Sequence, residues 1–167
     1  MNNLTKKLNA TLLASGMLLT AMSGSANAAN NDADITFTGA VPDTCSVVVT
    51  RGGVMTINAN QNILDSTGAS GVSGLAQVAT NSAGSTIEVL SPAAFTLAPE
   101  DGDLNTTFST IYSLDGGTIV ENVQGTVLTP LGVGVTDMVV DATATKSAGT
   151  FNAGAYSMLV TVRCVTP

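Results

Sequence analysis

"ADITFTGAVPDTCSVVV", residues 33 to 49, changes character at Pro42-Asp43. Before the proline, Ile35, Phe37, Gly39 and Val41 share one parity and Thr36, Thr38 and Ala40 the other, which predicts a half-buried β-strand. Proline has no N–H for a ladder, so Pro42 is a natural division. Beyond it, Cys45 to Val49 reads as a second strand and carries one of only two cysteines in the chain.

The same period of two recurs downstream in "VMTIN" (54–58), "TIEVL" (86–90), "AFTLA" (94–98) and "FSTIYSL" (108–114). It returns in "GTVLT" (125–129), "DMVVDATAT" (137–145) and "YSMLVTVRC" (156–164). Gly, Pro and Asp separate these runs, as at Gly116-Gly117 and Pro130 to Gly134. No stretch combines helical apolar spacing with caps; "SGLAQVAT" (73–80) offers one helical turn at most. The pattern predicts an all-β fold, an antiparallel two-sheet sandwich of the immunoglobulin-like kind with about seven to nine strands. "LDSTGASGVSG" (64–74) has no bulky side chain between Leu64 and Val72 and is expected to be the most flexible part.

The first 28 residues have the parts of a secretory signal: Lys6 and Lys7, an apolar stretch from Leu8 to Met22, and small residues ending in "ANA" at 26–28. Cleavage after Ala28 is expected, leaving one domain over 29–167 with no membrane span, in the periplasm or at the cell surface. That mature chain sets Arg51, Lys146 and Arg163 against twelve acids, three against twelve, a net charge of minus nine. Such a charge repels phosphate backbones and anionic lipid surfaces and excludes nucleic acid as an expected partner.

Two cysteines in an exported chain are most simply one disulfide, Cys45 to Cys164, with an intermolecular bridge as the alternative. An intrachain bridge requires Cα atoms about 4.4–6.8 Å apart, so the two cysteine strands must be neighbours or face each other. There is no histidine, so the Ser–His and Cys–His nucleophile arrangements lack their base, and no enzyme activity or cofactor is expected. Asp101, Asp103 and Asn105 alternate as the opening of a calcium loop does, but no Gly stands at the sixth position and Tyr112 stands at the twelfth. A polar turn is the expected reading there. Phe151, Tyr156 and Met158, of mixed parity, are expected to be core or edge packing.

The two ends of the chain resemble a family. A signal peptide, then "ITFTGAVPDTCSVVV", a Gly/Ser/Thr-rich middle and a closing "AGTFNAGAYSMLVTVRC" look like bacterial chaperone-usher fimbrial subunits and spore coat U proteins. Ala153 to Pro167 is also close to the closing pattern "AGxYSxxVTVxxxP" of a branch of secreted cyanobacterial proteins, with four residues rather than three between Val162 and Pro167. The resemblance implies a non-enzymatic structural subunit of a fimbria or coat, in which a neighbour's N-terminal segment completes the sandwich. Its implied partners are copies of itself or related subunits and a periplasmic chaperone. Only "ANNDAD" precedes Ile35 after cleavage, so Ile35, Phe37, Gly39 and Val41 are themselves the candidate donor strand. In the fimbrial family the second cysteine falls some forty residues after the first; here it lies in the last strand, where a bridge is expected to pin the missing-strand groove shut. The alternative is then a self-complete, monomeric secreted binding or adhesin-like module working through loops 64–74 and 99–107.

Overall fold

The structure, a computed structural model, describes residues 34–123 and 126–167. The expected signal peptide and most of "ANNDAD" lie outside the described residues. Among the described residues there are ten strands: β1 (Cys45–Arg51), β2 (Thr56–Ile57), β3 (Ile63–Asp65), β4 (Gly74–Thr80), β5 (Thr86–Leu90), β6 (Thr106–Leu114), β7 (Val120–Val123), β8 (Thr126–Pro130), β9 (Gly134–Lys146) and β10 (Thr161–Val165). They form two antiparallel sheets, one of seven strands and one of three, a β-sandwich. Among the described residues no helix is long and apolar enough to cross a membrane.

The 13-residue β9 is the spine of the larger sheet. One edge pairs over residues 138–146 with β6, which pairs in turn with β7. The other edge is shared: residues 134–140 pair with β4, and 143–145 pair with β3. β3 and β4 are therefore one interrupted line. Ser66 N–H donates to the Ala142 carbonyl and Gly74 pairs with Val140, so the chain between them loops out opposite Asp141. β1 and β2 form a second broken line outside the first, with a shift between Val49 and Arg51. The smaller sheet runs β10–β5–β8.

Inward positions follow the period of two. Ala76, Val78 and Thr80 of β4, Ile87 and Val89 of β5, Tyr112 of β6 and Met138 of β9 are buried, and the apolar ones form a cluster between the sheets. A second cluster lies beyond the small sheet, under the segments at 95–105 and 147–158. Phe95, Phe108 and Phe151 are buried there with Leu64 and Ala144. Phe95 meets Phe108 edge-on at 4.9 Å between centroids, and Tyr156 at 5.1 Å, the geometry the ring quadrupole favours.

Three expectations are corrected. "ITFTGAV" is not a strand: residues 34–41 carry no strand assignment and no ladder partner among the described residues. Just beyond them, Asn81 donates from Nδ2 to the Pro42 carbonyl and from its backbone N–H to the Thr44 carbonyl, and Thr44 N–H donates to Asn81 Oδ1. "AFTLA" forms only a single bridge, Leu97 to Ser157, because Pro92 and Pro99 on either side cannot donate to a longer ladder. "SGLAQVAT" is not a helical turn but the source of β4, because ladders on both sides outweigh the helical preference of Leu, Ala and Gln. The "LDSTGASGVSG" loop is tightly engaged: Leu64 and Ser66 are buried, Asp65 accepts bonds from Thr67 N–H and Oγ1, and Val72 bridges Val54. Small residues there permit close packing, as at Gly71 against the Ser66 carbonyl.

Candidate functional site

Among the described residues, β1 has a strand neighbour only in β4, and β10 only in β5. Both therefore present an edge without a ladder, on the same side of the sandwich. The Cys45–Cys164 disulfide ties these edges together, with the Cα atoms 5.9 Å apart. Away from the bridge, β1 advances toward Arg51 while β10 is followed backward toward Tyr156. Between the diverging lines lies an open groove of about 560 Å³.

Its floor includes Leu64, Ser66 and Ala76, all buried. One lip carries Val49 and Val54, the other Leu159 and Val160. Val49 is 71% exposed and Leu159 65%, although both stand beside core positions. The lining is mainly apolar. Its charged member, Arg51, donates from Nε and Nη2 to the Ser73 carbonyl at 3.2 and 3.0 Å and so braces the rim.

Along the second lip, Tyr156, Met158, Val160, Val162 and Cys164 are half-buried, and Ser157, Leu159, Thr161, Arg163 and Val165 are exposed. Only residues 161–165 pair with β5; the preceding segment keeps strand alternation through the Leu97–Ser157 bridge. Past Tyr156 the groove continues into a second hollow lined by Met55, Gln61, Phe151 and Gly154. The groove is thus closed at the disulfide and open at Tyr156. A bridge in this position does not pin it shut along its length.

The disulfide expected from sequence is present within one chain. Of the candidate donor residues, Ile35, Phe37 and Val41 are 79, 91 and 83% exposed, and a Cβ added at Gly39 would meet nothing within 4 Å. The resemblance implied a groove between the first and last strands, but the residues that line it escaped sequence reasoning. Tyr156 and Met158 read only as packing residues, although the unbroken alternation from Tyr156 to Cys164 carried the signal of one continuous inward face.

At the 99–107 turn, Asp101 and Asn105 adopt positive φ, 60° and 55°, and the Asp103 carboxylate accepts the Phe95 N–H at 2.8 Å. The cation at this turn is the chain's own. Lys146 is buried, and its Nζ donates to the carbonyls of Asp101 at 2.8 Å and Leu104 at 2.7 Å while lying 5.1 Å from the Phe151 ring centroid. Among the described residues, no group of three or more His, Cys, Asp or Glu side chains is placed to hold a metal ion. Searches against protein-family models and curated proteins return no match to this chain.

Proposed function

We propose that the chain is a non-enzymatic structural subunit of an extracellular surface assembly, fimbria- or coat-like, in which residues 35–41 of one copy fill the groove of another. The observation that carries this reading is the open apolar groove between the unladdered edges of β1 and the 156–162 lip. An exposed sheet edge above apolar pockets is the physical requirement for strand addition: the ladder supplies affinity and alternate side chains supply fit. The exposed, alternating Ile35, Phe37 and Val41 are a matching element of the same chain. A periplasmic chaperone that covers the groove before assembly belongs to the same proposal, because an apolar cleft left open in solution is an aggregation hazard.

Deleting residues 29–41 tests it. The expected variant keeps a cooperative thermal unfolding transition but no longer forms assemblies visible by size-exclusion chromatography and electron microscopy. Loss of folding on that deletion, together with a full-length protein that stays monomeric at high concentration, would overturn the proposal in favour of a self-complete secreted binding module.

A further inference from the structure

Taking the groove as a strand acceptor, we propose that the Cys45–Cys164 disulfide and Arg163 set the register of the incoming strand. Residues 34–41 of a second copy then lie antiparallel to 156–163 in one alignment, with Asp34 opposite Arg163.

Width decides where the strand must stop. A strand inserted between two others needs them about 9.5 Å apart, twice the spacing of neighbouring strands. At the bridge the flanking Cα atoms are only 5.9 Å apart. No strand passes that point, so the groove accepts a segment only between the bridge and its open end. Polarity follows from connectivity: three residues, Pro42 to Thr44, join Val41 to the donor's own β1. So short a connection must leave through the open end, which puts Val41 near Tyr156 and Ile35 near the bridge.

Antiparallel pairing then matches inward positions on both sides. Ile35 faces Val162, Phe37 faces Val160, Gly39 faces Met158 and Val41 faces Tyr156. The glycine falls opposite the longest unbranched side chain of the lip. In this alignment the chain before Asp34 turns out of the groove at the bridge; moving the donor two residues further would require Ile35 to lie level with Cys164, where the width is insufficient. Moving it two residues the other way leaves only Ala33 opposite Val162. Charge agrees with size: in the retained alignment Asp34 stands opposite Arg163 on the outer face. Arg163 is exposed and pairs with Glu88 on its other flank at 2.9 Å. Opposite charges directly across a ladder are favourable, and like charges there are not.

The test uses the mature full-length chain and two fluorescent peptides: residues 34–42, and the same peptide with an extra Val-Thr pair inserted before Ile35. The native, disulfide-bonded chain is expected to bind both within threefold, because the added valine meets the bridge. In the Cys45→Ala/Cys164→Ala chain the longer peptide should gain about tenfold, the worth of one more buried valine. A tenfold preference for the longer peptide in the native chain overturns the stop. Should the double variant fail to fold, a photo-crosslinker replacing Ile35 in the shorter peptide decides the point on the native chain. Attachment at 160–164 or 45–49 supports the alignment, and attachment at 154–157 overturns it. In the native chain, an Asp34→Lys peptide should bind about threefold weaker and recover on Arg163→Glu; no recovery overturns the Asp34–Arg163 pairing. If neither peptide binds the native chain, the acceptor reading falls and the alignment falls with it, whereas binding with the wrong length or crosslink pattern removes the alignment alone.

Discussion

Lys146 shows how one side chain closes a turn that would otherwise present carbonyl oxygens to the core. Its ammonium lies over the Phe151 ring and caps the Asp101 and Leu104 carbonyls. The remaining bonds to these carbonyls are a turn amide from Leu104 and a 3.4 Å contact from Thr106 Oγ1. Lys146→Met keeps the apolar stem and removes the charge-assisted bonds, which typically contribute about 2 kcal/mol. A loss of about that size is expected in urea unfolding, with Lys146→Arg falling between the two. The role was not legible beforehand: a lone lysine at a strand end reads as surface, and only the folded chain brings it under a turn more than forty residues away.

Among the elements, the broken strand lines explain both the successes and the errors of sequence reading. β5, β6 and β9 were legible because they are rich in β-branched and aromatic residues and turn residues bound them. β4 was hidden because Ala76, Gln77 and Ala79 carry little β preference, and its strand state comes from ladders on both sides. "ITFTGAV" failed the opposite way, having the pattern but no partner among the described residues. The loop-out between β3 and β4 turned on glycine. A methyl at Gly71 would overlap the Ser66 carbonyl, whereas one at Gly132 would meet nothing within 4 Å. Gly71→Ala should therefore cost about 1–3 kcal/mol by overpacking, and Gly132→Ala should stay within about 0.5 kcal/mol of the parent. Thermal unfolding of the two variants side by side checks the contrast. The groove was half legible for the same reason: the alternation at its lip was visible, but an unfilled space appears only when two edges are placed together.

At the scale of the molecule, two sheets of unequal size leave one end of the sandwich covered by irregular segments and an aromatic cluster. The interior is therefore assembled from distant parts of the chain, with Phe95, Phe108 and Phe151 meeting at one point. The disulfide spans 119 residues, and a loop of that length stabilises a fold by about 4–5 kcal/mol in the chain-entropy account. It also joins the point where the chain enters the sandwich to the strand with which it ends. A tensile load applied across the two ends of the domain therefore runs from Cys45 to Cys164 through two sulfur atoms and bypasses everything between them. In a single-molecule stretching experiment the oxidised domain should yield no unfolding step. The reduced domain should yield about 400 Å of released contour, the length of 119 extended residues. Such a domain carries force as a short covalent link, with the sandwich hanging from that link as an unstrained loop.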